Sequence, residues 1–286
     1  MAKQLLGKEV TAALNERIKA DVAKLNEKGI QKEDVVGLGV GVPAATKDGI
    51  VNSTSNIGWG YKNVRKELEE LTGYHVNVGN DANVAALGEY WMGGGKGFKD
   101  MIFVTLGTGV GGGIILRGRI FSGCNFFGGE LGHFTIKHDG LECGCGRKGC
   151  LEAYASAIGI KRTAFELMAT MNDKSPLRDI SFNDLDSAIL YQHAVKGDPI
   201  AKEAFRLTGM RLGYALADAV TITSPEAIFV FGGLAKAGDV ILDPIKWYLE
   251  ENMLFAFKNK VKVLPSGLQN KNAAILGASA LVWQNL

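Results

Sequence analysis

The sequence predicts an α/β fold. Apolar strand-like runs alternate with helical patterns along the chain, and glycines cluster at the ends of those runs. The hydrophobic share, 47% of 286 residues, is enough to bury an extended core. The segment from Val10 to Glu27 has apolar residues near helical spacing and reads as an amphipathic helix. Val35 to Val42 reads as a buried strand ended by Pro43. Asn63 to Leu71 follows as a helix closed by Gly73, Tyr74 to Val78 as a short strand, and Ala82 to Trp91 as a strong helix ending in three glycines. A second unit is expected to begin near Lys96. It contains a strand over Met101 to Leu106, a glycine loop, a strand over Gly113 to Leu116 and a turn at Arg117-Gly118. Later come a long helix opened by Asp198-Pro199, a buried strand over Ala227 to Phe231, a helix over Val240 to Glu250, a strand over Val261 to Leu264 and a closing helix from Ala273 to Trp283. The division expected is a small α/β domain over 1–95, with the helix of 273–286 packing back on it, and a large α/β domain over 96–272.

A formal net charge of +2 gives no electrostatic reason to expect nucleic acid or an acidic membrane as partner. With no apolar run long enough for a bilayer and no signal-peptide core, the expected location is the cytoplasm. Three of the four cysteines crowd into eight residues, and in a reducing compartment clustered thiols favour metal over disulfides. Cys143, Cys145 and Cys150, with His133 ahead of them, make the three-thiolate, one-imidazole set that structural zinc prefers. Four protein ligands leave no open position for a metal-bound water, so this zinc is expected to be structural. Cys124, outside the cluster, reads as a buried apolar residue.

Gly107, Gly109 and Gly112 fit a dinucleotide fingerprint by spacing, yet Ile114 to Leu116 continues as a strand where that motif requires a helix. Two readings stay open for this loop: backbone N–H groups and the Thr108 hydroxyl holding phosphate oxygens, or a plain tight hairpin. Gly93 to Gly97 resembles a phosphate loop only superficially. Asp81, between a short strand and a helix, is either the helix N-cap or a carboxylate that takes a proton from a substrate hydroxyl, with Asn80 orienting that substrate. Glu130 and Glu152 flank the metal-ligand residues and could accept hydrogen bonds from several hydroxyls.

Together GNDANVAALGEY, TLGTGVGGGI, GGELGH, CGCGRKGCLEAYAS and FGGLAKAG resemble the ROK family of bacterial sugar kinases and sugar-responsive repressors, its glucokinases in particular. The resemblance implies an actin-like, ribonuclease H-like, two-domain sugar kinase fold and ATP-dependent, magnesium-assisted phosphorylation of a hexose, glucose above all. It also implies a homodimer. Asp81 would then be the general base, with Asn80, Glu130, His133 and Glu152 on the sugar, and His133 shared between sugar and zinc. Gly107, Thr108 and Gly109 would approach the ATP phosphates, and Gly232 and Gly233 the adenosine. The chain departs from the family pattern in two places. The Asp-x-Gly-Gly-Thr hairpin with which the family begins is absent, so the first domain is expected to be N-terminally incomplete with an unpaired sheet edge, and Ala44 replaces the glycine that normally follows Pro43. The alternatives are a sugar-responsive transcriptional regulator of the same family and an inactive sugar-binding remnant.

Overall fold

A computed structural model describes residues 23–24, 27–52, 58–269 and 271–284. The helix expected over Val10–Glu27 lies almost wholly outside the described residues. The first elements are β1 (Leu38–Val42), β2 (Ile50–Val51), β3 (Lys62–Asn63), α1 (Val64–Thr72), β4 (Val76–Asn80) and α2 (Asp81–Met92). β1 and β4 run parallel, so that Val42 and Asn80 end side by side. A small core of Val42, Val51 and Val64 lies against one face of this pair.

The larger sheet has the order β7-β6-β5-β8-β9. It comprises β5 (Met101–Leu106), β6 (Val110–Leu116), β7 (Arg119–Ile120), β8 (Ala227–Phe231) and β9 (Lys262–Pro265). β5, β8 and β9 are parallel to one another, whereas β6 returns antiparallel to β5. Strands buried on both faces need apolar residues at every position, and MIFVTL and AIFVF meet that demand. Ile102, Val104, Ile228 and Val230 face a core shared with α4 (Ala157–Thr170), α5 (Ser187–Val195), α6 (Pro199–Thr223) and α7 (Asp239–Asn252). Met101, Phe103, Ala227 and Phe229 face the other way, toward α2 and α8 (Ala273–Gln284). A four-residue turn of helix, α3 (Glu152–Ala155), precedes α4.

Contact between α2 and the sheet is close because glycines permit it. A Cβ on Gly113 would lie 2.5 Å from the Ala86 Cβ and 3.0 Å from the Ala82 carbonyl oxygen. β6 starts at Val110, three residues before the expected strand. Its glycines therefore belong to the strand and seat a helix. Helix α8 packs against α2, β1 and β4. At the far end of α2, the buried Glu89 accepts hydrogen bonds from Gly94 N at 2.7 Å and Gly267 N at 2.9 Å, and from the Ser266 hydroxyl. The three glycines after α2 thus wrap a carboxylate of the protein itself. Cys124, expected to be buried, is exposed, in a loop that also leaves Phe127 open to solvent. That loop turns on the positive-φ residues Gly123 and Phe126 and contributes nothing to any of the apolar clusters. Among the described residues, no helix is long and apolar enough to cross a membrane.

Candidate functional site

Asn80 ends β4 and caps α2. Its Oδ1 accepts from Ala82 N at 3.0 Å and Asn83 N at 3.1 Å, and its Nδ2 is 3.5 Å from the Ala44 carbonyl oxygen. The capping role considered for Asp81 thus falls to its neighbour. Asp81 sits in the first turn, its Oδ1 accepting from Ala82 N at 2.8 Å. Partial enclosure raises the Asp81 carboxyl above its ordinary range, against the pull of that backbone hydrogen bond.

The opposite wall is a loop folded back on itself. Cys143 N donates to Arg147 O at 2.8 Å and Gly146 N to Cys143 O at 2.9 Å, closing a turn around the first two cysteines. The strand-like stretch from His133 runs beside the end of this turn, with Ile136 N donating to Gly149 O at 2.9 Å and Leu151 N to Phe134 O at 2.8 Å. Gly149 has φ +77°, and a Cβ there would overlap the Lys137 carbonyl oxygen, so no other residue lets the two stretches meet. Arg147 spans the gap, donating to the His133 carbonyl at 3.3 Å and to Thr135 Oγ1 at 2.8 Å.

The result brings together one ligand atom each from His133, Cys143, Cys145 and Cys150, all within 4.8 Å of one another. The Cys145 and Cys150 sulfurs are 3.7 Å apart, as are the Cys143 sulfur and His133 Nδ1. Two thiolates on a tetrahedral ion with bonds of about 2.3 Å stand roughly 3.8 Å apart. The donor set and its spacing therefore fit a closed, four-coordinate zinc. With Nδ1 turned to the thiolates, His133 Nε2 points the other way, 3.9 Å from Glu130 Oε2.

The Glu130 carboxyl is raised chiefly by partial burial and further by the negative charges of Asp81 and Glu152, with His133 acting in the opposite direction. Asp81, Glu152 and His133 thus all lie near enough to Glu130 to act on its charge. Glu152 does more than this. Its Oε2 accepts from Val110 N at 3.0 Å, and its Oε1 lies 3.6 Å from the Cys143 sulfur. That carboxylate ties the glycine loop to the thiolate cluster, a link across 42 residues that no local pattern announces.

Gly107, Thr108 and Gly109 form the turn between β5 and β6. Gly107 N is used within the turn, donating to Gly109 O at 3.0 Å, and Ala157 N donates to Gly107 O at 2.9 Å. Among the described residues, the N–H groups of Thr108 and Gly109 have no acceptor, and the exposed Thr108 adds a hydroxyl. β8 is the parallel neighbour of β5, with Thr105 opposite Phe231, so Gly232 and Gly233 leave the sheet at the same edge. Gly232 is pressed on the Leu106 backbone, while Gly233 faces open space.

The chain is similar to known proteins along most of its length. The family model described as "ROK family" matches residues 2–285. A glucokinase of Halalkalibacterium halodurans is 38% identical over 257 residues, which are 88% of this chain and 78% of that protein. Among solved structures, a ROK family glucokinase of Streptomyces griseus in complex with glucose and AMPPNP superposes with a TM-score of 0.78 at 34% identity, over 94% of this chain and 87% of that one. A ROK family transcriptional regulator, a homologue of the E. coli MLC protein, gives a TM-score of 0.82 at 26% identity, over 97% of this chain and 68% of the other.

Proposed function

The chain belongs to the ROK family and is a sugar kinase with that family's actin-like fold, and on this premise we propose that it transfers the terminal phosphoryl group of ATP to the 6-hydroxyl of glucose. The observation that carries the reading is that Asp81, His133 and Glu152 all lie near enough to Glu130 to act on its charge, while Glu152 is hydrogen-bonded to Val110 at the end of the loop Gly107–Gly109. A hydroxyl attacking phosphorus must lose its proton as the new bond forms. Asp81 is the group for that task, because its neighbour supplies the helix cap and its raised carboxyl is a stronger base than an ordinary aspartate. The oxygen–phosphorus bond forms, the bond to the ADP oxygen breaks in line with it, and the proton goes to Asp81.

In this reading Asn80 and Glu130 accept or donate to the remaining hydroxyls, and His133 Nε2 offers a further contact. Glu152 holds the sugar with whatever capacity the Val110 amide leaves it. The amides of Thr108 and Gly109, with the Thr108 hydroxyl, hold phosphate oxygens, and Gly232-Gly233 border the adenosine. Magnesium carried with ATP neutralises charge on the phosphates. Zinc on His133, Cys143, Cys145 and Cys150 keeps the sugar-side wall in place. The described part of residues 1–95 forms one side of the site, with the helix Ala273–Gln284 packed on it, and the described part of 96–272 the other; the active species is a homodimer, which sedimentation of the purified chain checks.

The test is ADP release measured across a panel of glucose, mannose and N-acetylated hexosamines. Turnover with glucose that disappears in Asp81→Asn supports the proposal, and turnover unchanged by that substitution overturns it. The likeness to the regulator favours a second reading, a sugar-responsive regulator. Glucose binding without any ADP release from the native protein would overturn the kinase reading and leave that regulator or an inactive sugar-binding remnant.

A further inference from the structure

Behind the thiolate loop, away from Asp81, lies a cavity of about 820 Å³ bounded by the stretch His133–Leu141 on one side and by α4 and α6 on the other. Neither Asp81 nor any proposed nucleotide residue lines it; it shares His133, Arg147 and the stretch Phe134–Lys137 with the metal-side wall. Its volume falls in the range of small-molecule sites.

Arg211, on α6, reaches into this space. One of its nitrogens donates to Thr163 Oγ1 at 2.7 Å, and its guanidinium lies over the Tyr154 ring, 5.0 Å from the centroid. Among the described residues, no carboxylate oxygen comes within the 4.0 Å of an ion pair with it, although Glu166 is near enough to support its charge. Burial works against that charge. A half-buried guanidinium with most of its fork unused is a receptor for an oxyanion. The other walls are mixed, with Lys137 and Arg147 adding positive charge and Glu166 negative charge. Phe134 and Tyr214 offer aromatic faces, and the exposed carboxylates of Asp139 and Asp218 stand at the rim. Aromatic faces suit the C–H side of a pyranose, and carboxylates accept from its hydroxyls.

We propose that this cavity is a second, non-catalytic site for a sugar phosphate, with the phosphate on Arg211, the ring against Phe134 and Tyr214, and hydroxyls donating to Asp139 and Asp218. Simple anions would use only the first of these contacts. Its volume admits a hexose phosphate or a disaccharide phosphate. None of Arg211, Phe134, Tyr214, Asp139 and Asp218 belongs to the proposed phosphoryl transfer.

The test is calorimetric titration of the zinc-loaded chain with glucose 6-phosphate in the presence of saturating glucose, which keeps the ligand out of the catalytic space. The expected result is one residual site per chain, weakened at least tenfold by Arg211→Gln and several-fold by Asp218→Asn, with KM for glucose unchanged in both. Circular dichroism checks that Arg211→Gln is folded; should it not be, Asp218→Asn on the exposed face of α6 decides alone. No residual binding to the native chain overturns the proposal, as does binding that neither variant weakens. Inorganic phosphate binding as tightly as glucose 6-phosphate, with the same loss in Arg211→Gln, overturns the sugar assignment. Should glucose prove not to bind at all, the reading of the catalytic site fails separately, and the Arg211 comparison still decides this one.

Discussion

The two walls of the candidate site are rigid for opposite reasons. Asp81 stands on regular structure, at the junction of a parallel strand and a helix whose cap is Asn80 and whose flank is pressed into the glycines of β6. His133 and Glu130 stand on a loop anchored to the main core by Leu131 and Leu151, whose exposed part is drawn together by backbone hydrogen bonds, Arg147 and four metal-ligand atoms. One wall is held by packing distributed over many residues, the other by a few strong local links. Damage to the first should therefore be graded, and damage to the second abrupt.

The largest expected effect is on the first wall at its tip. Asp81→Asn should lower kcat by about 10²–10⁴-fold while glucose affinity changes little, measured by ADP release and calorimetry. Removing the metal should come next. Chelation is expected to lower both Tm and glucose affinity in one step, and a fall in Tm with unchanged sugar affinity would show that the cluster serves stability alone. Gly113→Ala should cost about 1–3 kcal/mol by pushing α2 off β6, with a smaller loss of kcat because Asp81 moves with the helix. Chemical denaturation and kinetics on the same variant separate the two. Glu152→Gln should raise KM for ATP several-fold, since the carboxylate that accepts from Val110 N becomes a neutral amide.

The smallest effect is a pH dependence. A base must be ionised, so kcat/KM should fall as pH drops through the raised Asp81 value, higher than an ordinary aspartate would dictate. Stability carries the opposite sign. A carboxyl raised on folding favours the folded state below its unfolded value, and that contribution is lost as pH rises through its folded value. Asp81→Asn is therefore expected to be slightly more stable than the native chain at neutral pH, with the difference vanishing in acid; a Tm difference independent of pH would refute it.

Much of this was legible in the sequence where the physics is local. A turn-rich spacing of three cysteines and a histidine defines a tetrahedral set without reference to the rest of the fold. The strand and helix around Asn80-Asp81 follow from periodicity, and the strands Met101–Leu106 and Ala227–Phe231 were readable to the residue because burial on both faces leaves only apolar choices. The roles fixed by distant partners were not legible. The same residue type means different things in GTGVGGG: Gly107 opens a turn, whereas Gly113 makes room for Ala86. Glu152 looked like one more hydroxyl acceptor until Val110 lay beside it, and only contact assigns the N-cap to Asn80 in place of Asp81. Cys124 was misread because a thiol by itself carries no sign of which face of a loop it occupies.

The Glu89 carboxylate gives helix α2 a mechanical meaning. From Glu89, fastened to the segment Ser266-Gly267, the helix runs about 12 Å back to Asp81 at its start. A tilt of about 10° around that fastening would move Asp81 by roughly 2 Å, enough to take a hydrogen bond of about 3 Å out of range. The alignment of the base with its hydroxyl is thus set from the opposite end of the helix, by two backbone amides and a serine that never meet the sugar.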